Sequence, residues 1–124
     1  MNRMKTLKRI MVVLVVGSLL GVFFFDLFPV SGESMKPTIE NGSSVLIHPD
    51  SAEIGDIVVF ECYSSECRYP GDNGGVLIKR VTQKQGNCFY LEGDNRLKSW
   101  DSRSYGWLCD DDLKILGKVV WIFQ

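Results

Sequence analysis

The chain has 124 residues, of which 14 are basic and 15 acidic, so its formal charge at pH 7 is −1. This length suits one compact domain with an appendage, because single domains usually run to about 100–150 residues. Four of the basic residues precede residue 10 and 14 of the acidic residues follow residue 30, so the main body holds 10 basic and 14 acidic residues, a net charge of −4. This charge excludes nucleic acid as the expected partner, because binding to phosphates requires a basic face.

The first predicted element is an apolar run that follows a basic head. Residues 1–9 hold four basic residues and no acidic one, and the run of 21 residues that follows is interrupted only near its end, by Asp26 and Pro29. A cleaved secretory signal has an apolar core of about 7–15 residues, whereas a spanning helix needs about 20. We therefore predict a cytoplasmic segment at 1–9 and an uncleaved transmembrane signal anchor at 10–30, in preference to a cleaved signal. The positive-inside rule then places residues 31–124 outside the cytoplasm.

Beyond the anchor the sequence predicts a mainly β domain. Short apolar stretches bounded by turn residues are typical of strands, and five are predicted: Ser44–His48, Ile57–Phe60, Val76–Val81, Cys88–Leu91 and Ile115–Phe123. The stretch TQKQGN is expected to turn a hairpin between the third and the fourth. Two polar stretches, Glu61–Gly75 and Gly93–Gly106, exceed the usual loop length of about 4–6 residues and are expected to carry function.

The four cysteines predict disulfides. Their number is even, and the domain is expected to lie in an oxidising compartment, where disulfides stabilise small domains. Of the three possible pairings we predict Cys62 with Cys67 and Cys88 with Cys109. A four-thiolate zinc site is the alternative, but the C-x4-C spacing is looser than is usual and the other two cysteines stand alone. We predict no metal and no other cofactor.

The residue types that are present restrict the hydrolytic chemistry. The only histidine, His48, lies inside a predicted strand, a position typical of a structural histidine rather than of a Ser/His/Asp triad. A lysine with a lowered pKa is the remaining base that activates a serine. In VLIKRV, strand alternation puts Lys79 on the same face as Leu77 and Val81. If that face is buried, desolvation lowers the lysine pKa from about 10.4; the alternative is an exposed lysine that protects a strand edge.

Four sequence boxes resemble those of one enzyme family. GESMKPT, which contains Ser34, resembles the S-M-x-P-T nucleophile box of type I signal peptidases, the membrane-bound Ser/Lys endopeptidases that remove signal peptides. GDIVVF, IKRV and GDNRLKSWDSRSYG are similar to the later boxes of that family and occur in the same order. The resemblance extends from Gly32 to Gly117.

The resemblance implies catalytic roles for individual residues. Ser34 matches the nucleophile, Lys79 matches its general base, and Ser99 matches the hydroxyl that orients the lysine amine. Gly32 stands where some members carry a serine that helps to bind the oxyanion, so the backbone N–H of Ser34 is expected to be the main oxyanion donor.

The resemblance also implies supporting residues. Asp101 and Arg103 match an ion pair that stiffens the loop, Asp94 matches a partner of Arg80, and Met35 matches a residue beside the substrate cleft. Without the family, these charged loop residues are typical of a solvated surface.

The function that the resemblance implies is cleavage of exported preproteins after small side chains, through an acyl-enzyme, by a single-pass protein of the cell membrane. The implied partners are preproteins and the lipid bilayer, with the secretion machinery as a further candidate. Two alternatives stay open: a dedicated Ser/Lys maturation protease for one client such as a pilin or conjugation protein, and a noncatalytic anchored β-domain. The chain has little room for the extra β-domain of larger members, so a minimal catalytic core is expected.

Overall fold

The described part of the chain forms six strands and two short helices. The computed structural model describes residues 25–68 and 75–124. The strands are β1 (Asp26–Pro29), β2 (Ser44–His48), β3 (Ile57–Cys62), β4 (Val76–Gln85), β5 (Cys88–Glu92) and β6 (Leu113–Phe123). A 3₁₀ turn (Arg96–Lys98) and a one-turn helix, α1 (Ser102–Tyr105), lie between β5 and β6. All five predicted strands are present, four of them longer than predicted, so the prediction of a mainly β domain is confirmed.

The six strands form one antiparallel sheet in the order β1-β2-β6-β3-β4-β5. The last strand of the chain therefore lies in the middle of the sheet, between β2 and β3. The predicted hairpin joins β4 to β5, and its turn is confined to Gly86 and Asn87, because the pairing continues as far as Gln85 and Cys88. Gly86 has a φ of +56°, a left-handed conformation that glycine adopts readily.

Strand β3 is buried on both of its faces. Val58 and Phe60 face the larger hydrophobic core, whereas Ile57 and Val59 face a smaller core that also contains Met35. A strand covered on both faces needs a continuous apolar run, which explains the sequence IVVF. Its neighbour β4 pairs with it directly, so the fold places Lys79, opposite Val58, in the interior.

The end of the predicted anchor belongs to the sheet. Asp26–Pro29 form β1, which pairs with β2, and so these residues are not helical. Pro29 is tolerated there because β1 is an edge strand. Residues 10–24 of the predicted anchor lie outside the described residues. Within the described ranges, no helix combines the length and the apolarity needed to cross a bilayer.

Both predicted disulfides are present. Cys62 bonds to Cys67 and Cys88 bonds to Cys109, with Cα–Cα distances of 6.0 and 4.0 Å. These bonds use all four thiols, so the alternative of a four-thiolate zinc site is wrong. The first disulfide ties the segment after β3 back to that strand, next to the site described below.

Candidate active site

The nucleophile box and strand β4 meet at one contact. The Lys79 Nζ lies 2.9 Å from the Ser34 Oγ, although the two residues are 45 positions apart in the sequence. The same Nζ lies 3.1 Å from the Ile78 carbonyl oxygen. The fold thus brings together the two residues that were predicted to react.

The amine of Lys79 is enclosed by the protein. Lys79 is only 5% exposed and Val81 is fully buried, so this face of β4 is the buried one and Lys79 is not an exposed edge lysine. Burial lowers the pKa of Lys79 to about 8; the charge of Asp101 raises that pKa and the charge of Arg103 lowers it further. Among the described residues no carboxylate forms an ion pair with this amine. Removal from water disfavours the ammonium form, so an appreciable fraction of neutral amine is present near neutral pH.

Asn95 fixes the backbone at the nucleophile. Its N–H donates to the Ser34 carbonyl oxygen over 2.8 Å, and its side-chain amide donates to the Glu33 carbonyl oxygen over 3.0 Å. On the other side, the fully buried side chain of Met35 anchors the chain in the smaller core. Sequence reasoning missed Asn95, although its place in the GDN box was a usable signal.

Gly93 permits the close approach of two site segments. A Cβ at this position would lie 2.2 Å from the Ser99 Oγ and 2.6 Å from the Ser34 carbonyl oxygen. Only a residue without a side chain allows the Ser99 loop and the Ser34 segment to pack against one backbone. No residue pattern in the sequence indicates this contact.

The predicted pair of Asp101 and Arg103 is present, with Asp101 fully buried and Arg103 partly exposed. Arg103 donates to the Asp101 carboxylate from Nε over 2.9 Å and from Nη2 over 2.5 Å, and the Gly93 N–H donates to the same carboxylate over 2.8 Å. Burial acts to raise the pKa of Asp101, but these hydrogen bonds outweigh it and lower the pKa to about 2. Arg103 also donates to the Gly93 carbonyl oxygen over 3.0 Å. The ionised pair therefore fastens α1 to Gly93.

The second predicted pair links three segments. Arg80 donates to Asp94 through Nε and Nη2, each over 2.8 Å, and through Nη1 to the Gly55 carbonyl oxygen over 2.7 Å. The Thr38 hydroxyl donates to Asp94 over 2.5 Å. Thr38, the last residue of the nucleophile box, was not singled out in the sequence. The pair joins β4 to the loop after β5 and to the segment that carries Ser34.

Two other predicted residues lie close to the dyad in positions that differ from expectation. The Ser99 hydroxyl is buried and makes no hydrogen bond within the described part of the chain, so the expected bond to the Lys79 amine is not formed in this structure. It lies near enough to Asp101 to help lower the pKa of that carboxyl. Met35 packs in the smaller core with Val30, Val45 and Val59, and so lies beneath the neighbouring groove rather than in its lining.

Two grooves meet at the dyad. The first, of about 310 Å³, is here called the apolar groove and is lined by Phe28, Pro29, Val30, Ser31, Ser34, Val45, Val59, Val76, Leu77, Ile78 and Lys79. The second, of about 250 Å³, is here called the polar groove and is lined by Ser31, Gly32, Glu33, Ser34, Cys67, Leu77, Lys79, Lys98 and Trp100. Two larger hollows, of about 410 and 550 Å³, contain neither Ser34 nor Lys79. His48 lines neither groove.

This arrangement places a possible nucleophile beside a possible general base. A serine hydroxyl becomes reactive when a base within hydrogen-bond reach takes its proton, and a neutral amine is such a base. In the described structure the Ser34 N–H has no backbone acceptor, which leaves it available to an oxyanion. Gly32 is exposed, and its N–H donates to the Asn41 side chain over 3.0 Å.

Comparison with known proteins agrees with these features. Residues 3–87 match the family model described as signal peptidase, peptidase S26, and this segment contains both Ser34 and Lys79. Signal peptidase I of Bacillus caldolyticus is 28% identical over 155 aligned positions, which cover 85% of this chain and 84% of that relative. The family match extends over more than half of the chain, and the chain therefore belongs to the signal peptidases of peptidase family S26.

Proposed function

We propose that this chain is a membrane-anchored serine endopeptidase that removes signal peptides from exported preproteins with a dyad of Ser34 and Lys79. Membership of the signal peptidase family supports a peptidase that acts on preproteins. The observation that carries the dyad is the 2.9 Å contact between the Ser34 hydroxyl and an amine that is 5% exposed. The pKa of about 8 supplies the neutral form that this chemistry requires.

The reaction proceeds in two halves. The Lys79 amine takes the proton from the Ser34 Oγ as this oxygen forms a bond to the scissile carbonyl carbon. The resulting ammonium then protonates the leaving amine of the mature chain, and the C–N bond breaks to leave an ester on Ser34. In the second half Lys79 deprotonates a water that attacks the ester, which releases the signal peptide and restores the hydroxyl.

The neighbouring residues position this pair. The Ser34 N–H is the donor for the oxyanion, and Asn95 holds the backbone on which that donor lies. The two ion pairs of Asp101 with Arg103 and Asp94 with Arg80 keep the surrounding loops in place. Such bracing matters because a misplacement of about 1 Å at a reacting group can lower the rate on the order of a hundredfold.

The anchor supplies the location. Residues 10–25 contain no charged residue, and Ser34 follows the end of this run by nine positions. The apolar groove begins with Phe28, Pro29 and Val30, which connect the anchor to the nucleophile. A preprotein whose cleavage site emerges at the outer surface of the bilayer then meets the nucleophile without a diffusional search.

The test is cleavage of several unrelated preproteins by the full chain in detergent. We expect the wild-type protein to cut more than one of them and Ser34→Ala to cut none, while a serine-directed acylating probe labels only the wild-type Ser34. Ser104→Ala, which changes an exposed serine of α1, is the matched control and should keep both activities. Cleavage of a single client would indicate the dedicated maturation protease. Absence of both cleavage and labelling would indicate a noncatalytic domain and overturn the proposal.

A further inference from the structure

The two grooves form one path past the nucleophile. They share four lining residues, Ser31, Ser34, Leu77 and Lys79, so the Ser34 hydroxyl lies at their junction. An extended chain whose scissile carbonyl contacts that hydroxyl has residues on both sides of it. It must therefore place one side in the apolar groove and the other in the polar groove.

The chemistry of the walls distinguishes the two sides. The apolar groove takes its walls from strands and from the segment that directly follows the uncharged run of residues 10–25. The polar groove is bounded by Glu33 and Lys98, whose charged atoms pair over 3.0 Å and which are 43% and 66% exposed in their side chains. The first surface suits an apolar segment next to a bilayer. The second suits a segment that continues into water.

One aromatic side chain forms a wall of the polar groove. Trp100 is 37% exposed, and its Nε1 donates to the Glu66 carbonyl oxygen over 3.2 Å. Glu66 precedes Cys67, a buried groove residue that the disulfide to Cys62 ties to β3. The indole is therefore held against a cross-linked segment. The Trp100 side chain then has little conformational freedom left to lose when a substrate chain binds. Aromatic side chains held in this way are common anchors for a partner chain.

We propose that the polar groove binds the mature side of the substrate, the residues that follow the scissile bond, and that Trp100 is its specificity-determining residue. This assignment rests on the proposed function and deepens it. The groove takes an extended peptide segment with a side chain that contacts the indole. Trp100 takes no part in proton transfer, so its contribution depends on the presence of residues beyond the scissile bond.

The experiment compares two substrates with the same signal-side sequence. One is a peptide that continues for several residues beyond the scissile bond, and the other is an ester at the scissile position with a small alcohol as its leaving group. We expect Trp100→Ala to lower kcat/KM about tenfold for the peptide and less than about twofold for the ester, because the ester has no mature-side residues. Trp100→Phe keeps an aromatic ring without the N–H donor, and we expect an intermediate loss for the peptide.

Tyr63→Ala is the matched control. Tyr63 is an exposed aromatic residue of the cross-linked segment after β3 and does not line the polar groove, so this variant should cleave both substrates as the wild type does. An equal loss for both substrates in both Trp100 variants would mean that Trp100 only supports the neighbouring loop, and the assignment would be overturned. No loss for either substrate would also overturn it. If the wild-type protein turns over neither substrate, the proposed function itself fails and this assignment fails with it.

Discussion

Strand β4 carries two lysines on the same face of the sheet in very different surroundings. A register shift between Val81 and Gln83 places Lys84 opposite Phe89, a core residue, so Lys84 points to the side that Lys79 also faces. The Lys84 Nζ lies 3.1 Å from a carboxylate oxygen of Glu53 and 2.8 Å from the Ala52 carbonyl oxygen, near the rim of the domain. The Lys79 Nζ instead meets a serine hydroxyl in the interior.

The difference teaches that surroundings, rather than residue type, decide the chemistry of a lysine. Lys84 has a carboxylate partner, Glu53, and some exposure to water. Lys79 has neither, and burial lowers its pKa to about 8. The same side chain therefore forms an ion pair near the end of β4, whereas within that strand it has a lowered pKa and contacts a serine hydroxyl.

The largest expected effect is on the rate of cleavage, which should depend on Lys79 but not on Lys84. Lys79→Ala should lower the rate of preprotein cleavage by about 10²–10⁴-fold, the range typical for loss of a general base. Lys84→Ala should stay within about twofold of wild type, because Lys84 lies outside both grooves. Single-turnover cleavage in detergent measures both variants. Wild-type rates for Lys79→Ala would make the two lysines equivalent and contradict the comparison.

Removal of the Asp101 carboxylate should change both the stability of the protein and the pKa of Lys79. Asp101→Asn removes the buried carboxylate of this pair, while the partly exposed Arg103 keeps Glu92 at 3.4 Å, so we expect the free energy of unfolding to fall by about 1–3 kcal/mol. The Asp101 charge also raises the pKa of Lys79, so its loss should move the midpoint of the pH–activity curve below about 8. Denaturant unfolding and a pH–rate profile measure the two effects.

The more exposed pair provides the control for that prediction. Asp94→Asn should lower the free energy of unfolding by about 1 kcal/mol, because Arg80 and Asp94 are partly exposed, and should leave the midpoint of the pH–activity curve in place.

The stabilisation that Asp101 contributes in the wild type depends on pH. Its folded pKa of about 2 is below its usual value, so the stabilisation is complete above about pH 4 and is lost as the pH falls through 2. Equal effects of Asp101→Asn and Asp94→Asn on stability and on the pH midpoint would contradict the different roles expected of the two ion pairs.

The last expected effect concerns stability at the two lysines. Lys79→Met should raise the free energy of unfolding at pH 7 by about 1–3 kcal/mol, because it removes an amine whose burial disfavours its charged form. Between pH 8 and about 10.5, the pKa of Lys79 in the unfolded chain, the unfolded chain binds a proton that the folded chain has released. The free energy of unfolding of the wild type should therefore rise with pH over this range, and the stability advantage of Lys79→Met should vanish. Lys84→Met should lower the free energy of unfolding by up to about 1 kcal/mol, because it removes the ion pair with Glu53. A loss of stability in Lys79→Met would contradict the account.

Much of the sheet was predictable because its strands carry local signals. Short apolar stretches and flanking turn residues gave β2 to β6, whereas the disulfide pairing was a choice among three possibilities. Strand β1 was missed because its four residues, DLFP, continue an apolar run and contain a proline. Its place beside β2 depends on pairing between distant segments, as does the central position of β6, and no local pattern encodes either.

The site was predictable as far as side-chain chemistry carries a signal. Ser34 and Lys79 stand out by residue type and by their boxes, and alternation put Lys79 on one face of β4 with Leu77 and Val81. Gly93 was missed because its role is the absence of a side chain between two distant segments. Asn95 and Thr38 act through hydrogen bonds to residues far along the chain, which become visible only in three dimensions. Ser99 was expected to contact the lysine amine, and its rotamer in the folded protein is not set by sequence.

The most direct test is the pH dependence of Ser34 acylation by a serine-directed probe. The rate constant should rise with pH, level off above an apparent pKa of about 8, and lose this dependence in Lys79→Ala but not in Lys84→Ala. A rate constant that does not change from about pH 6 to about pH 10, or one that follows the same curve without Lys79, would contradict a neutral lysine as the base.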